Sequence, residues 1–254
     1  MNTKPYVIEE TNVSKAYYKT LKFIYNHSGN EVSPLVLTLT GFEESLEFKE
    51  ILNSELLSGK HNNIDMVAET IFPNSLYQFL DYDRHALYKT YGKNIARIKK
   101  IDTRNRRGTY FDRLIAYGDV NQLEIIIDSL QVESKVRRRS KLQASIFDPS
   151  QDHLTDAFQG FPCLQHVTFA KSETGGLILN SFYAIQYLYE KAYGNWLGLI
   201  NLGKFVARET DMEFERFNCF VGVEKAAKKM TKKQMIILLN KFNKIEQFSA
   251  MDNE

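Results

Sequence analysis

One cysteine is the residue of this chain best suited to nucleophilic chemistry. Cys163 lies in the stretch FPCLQHVTF, where a proline precedes it and a β-branched and aromatic run follows it. A thiolate adds to soft electrophiles, such as C6 of a pyrimidine, when nearby cationic groups lower the thiol pKa. A free cysteine is also often buried and inert. The sequence alone leaves both interpretations of Cys163 open.

A basic run precedes this cysteine by one predicted strand. It comprises Arg137, Arg138, Arg139 and Lys141. Arginine matches phosphate oxygens in a bidentate fork, so the run is a candidate anion-binding site. A charge run is also typical of a solvated loop. The spacing does not place these side chains beside Cys163.

Several signatures of other chemistries do not occur in the sequence. It contains no G-x-x-x-x-G-K-[ST], G-x-G-x-x-G or H-E-x-x-H motif. The five histidines are scattered, and two cysteines are too few for a disulfide framework or a cysteine-based zinc site. We therefore expect no metal cofactor.

The composition is that of a soluble globular protein. Of the 254 residues, 43% are hydrophobic and 25% are charged, and the net charge is +2. This balance disfavours a general nucleic-acid or membrane partner. The small number of cysteines predicts a reducing, cytoplasmic compartment. The first residues form no signal peptide, and no apolar run is long enough to span a bilayer.

Hydrophobic periodicity predicts an α+β fold with a mixed or antiparallel sheet in a single domain of residues 1–254. Ser14 and Thr231 are predicted helix caps. A Gly-containing turn between two β-rich runs predicts a hairpin over 166–184. The other predicted elements are helices at 14–27, 42–57, parts of 75–98, 120–131, 197–210 and 231–245, and strands at 34–41, 143–147 and 214–223.

The serial order of these features resembles the thymidylate synthase and pyrimidine nucleotide hydroxymethylase family. The resemblance is clearest over residues 110–222, and it is the order of the segments that carries it. The corresponding segments read NQLEIIIDSL, RRRSKLQASIFDPSQD, FPCLQHVTF, GGLILNSFYAIQYLYEKAYGNWLGLINLGKFVA and MEFERFNCFVG.

The resemblance implies a fold and a reaction. The implied fold is a single α+β domain with a bent, twisted sheet flanked by helices, and two such sheets pack back to back in a homodimer. The implied substrate is a pyrimidine nucleotide. Cys163 would add to its C6, and C5 would then take a one-carbon unit, methyl or hydroxymethyl, from methylenetetrahydrofolate.

The resemblance also implies roles for basic and acidic residues. Arg138 and Arg139 correspond to a phosphate-binding pair that reaches into the partner's site. A strict count places that pair on Ser140 and Lys141, which makes Lys141 a further candidate. Glu190 retains the acidic residue of the family's R-S-x-D segment, where this chain reads YLYE.

Other family positions are replaced. The asparagine that reads the pyrimidine edge corresponds to Gly198, and Asn195 and Asn201 flank it as substitute candidates. Leu164 stands where the family has histidine after the cysteine. The family's H-x-Y ribose contact falls within VEKAA at 223–227, which contains neither residue.

Three functions follow from these observations. The first is a diverged one-carbon transferase that uses Cys163. The second is a non-catalytic homodimer of the same fold with a binding or regulatory role. The third is a nucleic-acid-binding module, which the balanced net charge disfavours. Its candidate residues are Arg104, Arg106, Arg107 and Arg137–Arg139.

Overall fold

The structure is a computed structural model that describes residues 5–101, 105–131, 138–153, 155 and 162–245. Its centre is a seven-stranded sheet. The strands are β1 (Tyr6–Asn12), β2 (Glu31–Val32), β3 (Leu35–Glu43), β4 (Gln143–Ser145), β5 (Leu164–Lys171), β6 (Leu177–Tyr187) and β7 (Phe214–Lys225). The helices are α1 (Val13–Asn26), α2 (Leu46–Ser58), α3 (Ile64–Ala68), α4 (Asn74–Phe79), α5 (Arg84–Ile101), α6 (Tyr110–Ala116), α7 (Gln122–Gln131), α8 (Pro149–Asp152), α9 (Tyr193–Glu209) and α10 (Lys232–Phe242).

The sheet is mixed, which confirms the predicted fold class. Its strand order is β1-β3-β7-β6-β5-β4, with β2 paired to β7. β5 and β6 form the predicted antiparallel hairpin. β6 and β7 are parallel neighbours, and α9 makes the crossover between them. Parallel strands need a long connection of this kind, so the buried helix at 193–209 is a requirement of the topology.

The predicted helices and strands are present with shifted ends. The predicted cap of α1 is wrong, because Asn12 caps this helix by accepting a hydrogen bond from the Lys15 amide. Ser14 is instead buried inside α1, where its hydroxyl lies 2.7 Å from that of Tyr193. The predicted cap at Thr231 is confirmed, and a reciprocal contact with Gln234 completes a capping box. β1 was not predicted from the sequence.

The described helices pack against one face of the sheet and leave the other face open. We call the outward side chains of β1, β3, β5, β6 and β7 the open face. Two rows of contacts cross it. Rings stack from His166 to Phe182 to Phe220, and the hydrogen bonds of the second row run from Thr38 through Asn218 and Asn180 to Thr168.

The regular alternation of the sheet changes phase at one row of residues, Leu164–Tyr183–Val221. In β6 the next inward side chain after Tyr183 is Gln186, and in β7 the next after Val221 is Glu224. The step within each pair is three positions along the strand, whereas side chains on the same face of a regular strand are two or four positions apart. β5 shows the same three-residue step from Leu164 to Val167.

A glycine permits the close approach of β6 and β7 at this point. A Cβ atom on Gly222 would lie 2.8 Å from the carbonyl oxygen of Ala184, which is too close for any other residue without a backbone shift. The phase change therefore turns Gln186 and Glu224 toward the helices.

Among the described residues, no helix is both long and apolar enough to cross a membrane.

Candidate functional site

Cys163 lies at the entrance to β5 and is half-buried. Its carbonyl oxygen accepts a hydrogen bond from the Ala184 amide at 3.0 Å, which fixes the backbone against β6. Burial raises the pKa of the Cys163 thiol, and the neighbouring Lys191 cation partly opposes that rise. The ligand-free protein therefore holds Cys163 as a thiol, with one cation in place to stabilise its thiolate.

Two tyrosines lie within electrostatic reach of this thiol. Tyr110, the first residue of α6, accepts hydrogen bonds from the backbone of Leu164 and Cys163, and burial raises its pKa. Tyr183 of β6 is fully buried, and burial likewise raises its pKa, with further contributions from Tyr110 and Cys163. Both phenols therefore stay protonated and can donate hydrogen bonds beside the thiol.

Behind Cys163 lies a group of buried polar side chains that we call the polar cluster. Each has at least one buried oxygen or nitrogen without a hydrogen-bond partner in the described structure. The polar cluster comprises Tyr17, Tyr183, Gln186, Glu190, Trp196 and Glu224.

The members of the polar cluster lie next to one another. Gln186 and Glu224 are paired in the register of β6 and β7. The Glu190 and Glu224 carboxyls contribute to the raised pKa of Tyr17, after burial, which is the main cause. The ring centroids of Tyr17 and Trp196 are 6.3 Å apart. Buried polar groups in native proteins are nearly always paired, so this concentration indicates a position for a ligand or for bound water.

Glu224 has the most completely buried carboxyl of the polar cluster. It is 0% exposed and neither carboxyl oxygen has a partner. Burial raises its pKa well above the ordinary value, because no described cation compensates an ionised form. Burial therefore favours the protonated form of Glu224, a carboxylic acid with one O–H donor and one carbonyl acceptor.

Helices position the rest of the cluster. The Tyr17 ring of α1 packs edge-on against Phe48, Trp196 and Phe242. The Ser14 hydroxyl joins Tyr193 of α9 and accepts from the Ser45 amide at the start of α2. The ring contacts hold Tyr17 in the core, where the Glu190 and Glu224 carboxyls both act on its hydroxyl.

Glu190 lies in a single π-helical turn, Leu188–Ala192, between β6 and α9. One carboxylate oxygen accepts from the Lys228 amide at 2.9 Å and holds the segment after β7. The other oxygen is buried and unpaired. The structure therefore places the predicted residue Glu190 with Cys163's neighbours, next to Lys191 and close to Tyr17.

The predicted phosphate-binding residues lie elsewhere in this chain. Arg138, Arg139 and Lys141 are exposed beside β4. The Leu142 carbonyl that follows them accepts from the amide of Phe169, six residues along β5 from Cys163. At roughly 3.3 Å per strand residue, this separation is about 20 Å. One chain therefore does not bring these residues to the thiol.

The two predicted asparagines lie on α9. Asn195 is buried and Asn201 is half-buried. Asn201 shares a helix face with Gly194 and Gly198, whose Cα atoms pack against the backbone of α3 and the residues after it. The contacts of Gly198 thus place that face of α9 against α3 instead of against β6.

The remaining basic candidates fall into separate groups. Arg106 is exposed and Arg107 is half-buried, whereas Arg104 and Arg137 lie outside the described residues.

Arg113 was not a candidate from the sequence. It forms a buried bidentate pair with Asp152, with distances of 2.6 and 2.9 Å. The Arg113 guanidinium is thereby committed to joining α6 to α8.

A cavity of about 280 Å³ lies apart from the polar cluster. Its lining residues are Met66, Glu69, Thr70, Pro73, Leu76, Tyr91, Asn94, Ile98, Asn105 and Thr109. Neither Cys163 nor any member of the polar cluster contributes to it. Within the described ranges, no group of three or more histidine, cysteine or acidic side chains is arranged to hold a metal ion.

Sequence reasoning missed most of the polar cluster. Tyr17, Gln186 and Glu224 would each have been assigned by regular periodicity to a packing or solvent role. The one available signal was Gly222, because an isolated glycine within a strand indicates a bulge or a close backbone approach. Such a bulge would have reversed the predicted orientation of Glu224.

We predict that iodoacetamide alkylates Cys163 in the folded protein and leaves Cys219 unmodified. Cys219 is 1% exposed and burial raises its pKa to about 12. Only the thiolate reacts, so alkylation of Cys163 should accelerate as pH rises through and beyond about 8.5. Lys191→Met should slow alkylation at pH 8, because it removes the cation that lowers the thiol pKa.

Peptide mass spectrometry measures both rates. Lys204→Met, on α9, is the matched control and should leave the rate unchanged. Preferential modification of Cys219, or an unchanged rate in Lys191→Met, would contradict this description of the thiol.

We predict that Glu224→Gln becomes increasingly stabilising relative to the wild type as pH rises from 5 to 8. The folded-state pKa of Glu224 is raised, so the folded state binds its proton more tightly than the unfolded state does. The stability of the wild type therefore falls with rising pH above about 4.3, by at most about 1.4 kcal/mol per pH unit. Glutamine removes this titration.

Urea unfolding at four pH values measures the difference in free energy of unfolding. Glu213→Gln, at an exposed position, is the control and should show no such trend. A pH-independent difference between Glu224→Gln and the wild type would mean that Glu224 is ionised in the folded protein.

Comparison with known proteins assigns no function to the chain. No protein-family model matches the chain, and no curated protein matches it. The resemblance to the thymidylate synthase family therefore stays a prediction from the order of segments in the sequence.

Proposed function

We propose that this chain is a diverged, thymidylate synthase-like enzyme that activates C5 of a pyrimidine nucleotide or a related pyrimidine for one-carbon transfer. The observation that carries the proposal is the position of Cys163 beside the polar cluster. A nucleophile next to buried, unpaired hydrogen-bonding groups is the arrangement that addition to a polar heterocycle requires.

The arrangement of donors suits the chemistry of the addition. The Cys163 thiolate forms a bond to C6, the C5–C6 π bond opens, and negative charge develops on C5 and on the C4 oxygen. Protonated phenols at Tyr110 and Tyr183 supply uncharged donors near the thiol. Fixed donors aimed at developing charge in a water-poor site are an effective form of catalysis.

The order and pairing of elements support the resemblance. Helix α7, the turn at Arg139–Lys141, β4, Cys163, the β5–β6 hairpin, α9 and β7 follow one another as the family order requires. Glu190 also retains its acidic character, and it precedes Lys191, the cation that acts on the thiol. The family-specific fold is part of this proposal.

The one-carbon donor rests on the resemblance alone. Methylenetetrahydrofolate would have to present its carbon to C5, next to Cys163. The 280 Å³ cavity includes no residue of the polar cluster and does not offer a donor site in contact with the thiol. The proposal is therefore argued from the residues only as far as activation of C5.

The open face fits a second copy of the chain. Val7 is 66% exposed and Phe220 is 41% exposed on a surface that is otherwise rich in threonine and asparagine. Its side chains are largely uncharged, so two copies can meet without like-charge repulsion. A back-to-back homodimer would cover this face, and it is the arrangement in which the resemblance carries Arg138 and Arg139 into the partner's site.

A non-catalytic homodimer with a binding or regulatory role is the second candidate. The observation that favours it is the raised pKa of Cys163, because a thiol is a poor nucleophile until it loses its proton. Both candidates retain the polar cluster as a ligand site. With two free cysteines, both also fit a reducing, cytoplasmic compartment.

We predict that the wild type catalyses exchange of the C5 hydrogen of a pyrimidine with deuterium from the solvent. Addition of Cys163 to C6 makes C5 basic. C5 then takes a deuteron, loses its hydrogen as a proton, and the bond between Sγ and C6 breaks. The reaction needs no one-carbon donor, and mass spectrometry of the pyrimidine measures it.

Cys163→Ala should abolish this exchange, and Cys219→Ala, at the other cysteine, should retain it. Exchange that persists in Cys163→Ala would contradict the assigned nucleophile. The absence of exchange in the wild type would favour the non-catalytic candidate.

We predict that Phe220→Glu converts a dimer into a monomer. The substitution places a charge at the centre of the open face, where pairing of two copies would bury it at a large cost. Phe79→Glu is the matched control, because Phe79 is 81% exposed on α4, away from the sheet. Sedimentation measures the mass, and a wild type that is monomeric at all concentrations would contradict the proposed dimer.

A further inference from the structure

The charges of the polar cluster restrict the substrate that can enter it. Glu190 and Glu224 each have a buried carboxyl oxygen without a partner. Lysine and arginine are not members of the cluster. Lys191 is the described cation that acts on Cys163, and burial is the cause that raises the pKa of Glu224. The members of the polar cluster are therefore uncharged or negative.

An anionic substrate group would be held poorly in this environment. A phosphate carries up to two negative charges, and burying it among the carboxyls of the polar cluster, which has no cationic member, leaves these charges poorly compensated. The family's arginine of R-S-x-D corresponds to Tyr187, and a phenol cannot neutralise phosphate. Among the arginines that the structure describes, Arg113 is paired with Asp152 and Arg84 with Glu124 and Glu209. Arg107 has a buried guanidinium nitrogen without a partner, but it is not among the residues whose charges act on Cys163 or Glu224.

A neutral heterocycle fits the same groups well. The Gln186 amide offers N–H donors and a carbonyl acceptor, and all are unpaired. The protonated carboxyl of Glu224 offers one donor and one acceptor at the paired position of the next strand. Each side chain can therefore match an adjacent donor and acceptor on a pyrimidine ring or on a sugar.

We propose that the substrate of this site is an unphosphorylated pyrimidine, a nucleoside or free base, and that Gln186 and Glu224 hold it beside Cys163. The inference rests on the proposed function and specifies its substrate class. Gln186 and Glu224 are binding residues in this account, and Cys163 remains the nucleophile.

The experiment compares C5 hydrogen exchange among bases, nucleosides and nucleotides with the full-length protein. The compounds are uracil, deoxyuridine and dUMP, and cytosine, deoxycytidine and dCMP. We expect kcat/KM for the best unphosphorylated compound to exceed that of the matching nucleotide by about tenfold or more, the effect of one poorly compensated charged contact. The assay uses the protein in its native oligomeric state, so any arginine that a partner subunit contributes to the site is present.

An advantage below tenfold, parity, or a preference for the nucleotide overturns this inference and leaves the proposed function standing. Exchange with none of the six compounds overturns the proposed function and this inference with it. The two failures are therefore distinguishable within one data set.

A variant tests the binding role of Glu224. Glu224→Leu removes the donor and the acceptor that the protonated carboxyl offers. It should lower kcat/KM for the best unphosphorylated compound severalfold, whereas Glu213→Gln should leave it unchanged. An unchanged kcat/KM in Glu224→Leu would overturn the assignment of Glu224 as a binding residue. Urea unfolding establishes that both variants are folded.

Discussion

The buried carboxyl of Glu224 depends on a change of phase that β5, β6 and β7 share at the row Leu164–Tyr183–Val221. A regular strand would have pointed this side chain to the open face, where solvent or a second subunit could meet it. Gly222 allows the two parallel strands to approach closely enough for the change to occur. The position of the polar cluster thus follows from a backbone constraint in the sheet.

The cluster is costly in the absence of a ligand. A buried polar group without a partner costs about 1–3 kcal/mol. Each member of the cluster whose polar atoms stay unpaired carries a cost of this kind. Bound water can relieve part of this cost. The proposed ligand site accounts for the packing that holds these groups, from the Tyr17 ring to the close approach of α9 and α3.

The sequence predicts the helices and strands around the site better than it predicts the site. The 3.6-residue pattern and the Thr231 cap identify α10, and the Gly-containing turn identifies the β5–β6 hairpin, because local propensity and capping determine them. Cys163 and Glu190 follow from the resemblance: Glu190 is a member of the cluster, and Cys163 lies beside Tyr183, another member. Gln186 and Glu224 do not, because a phase change between neighbouring strands is a long-range feature that regular alternation hides.

The fluorescence of Trp196, the single tryptophan of the chain, tests most directly whether the polar cluster is a ligand site. Its indole N–H is buried, unpaired and next to Tyr17. We predict a saturable change in tryptophan emission on titration with deoxyuridine or deoxycytidine, and loss of that change in Glu224→Leu, with Phe79→Glu as the folded control. Emission that stays constant at millimolar concentrations of both nucleosides and both nucleotides would contradict the account.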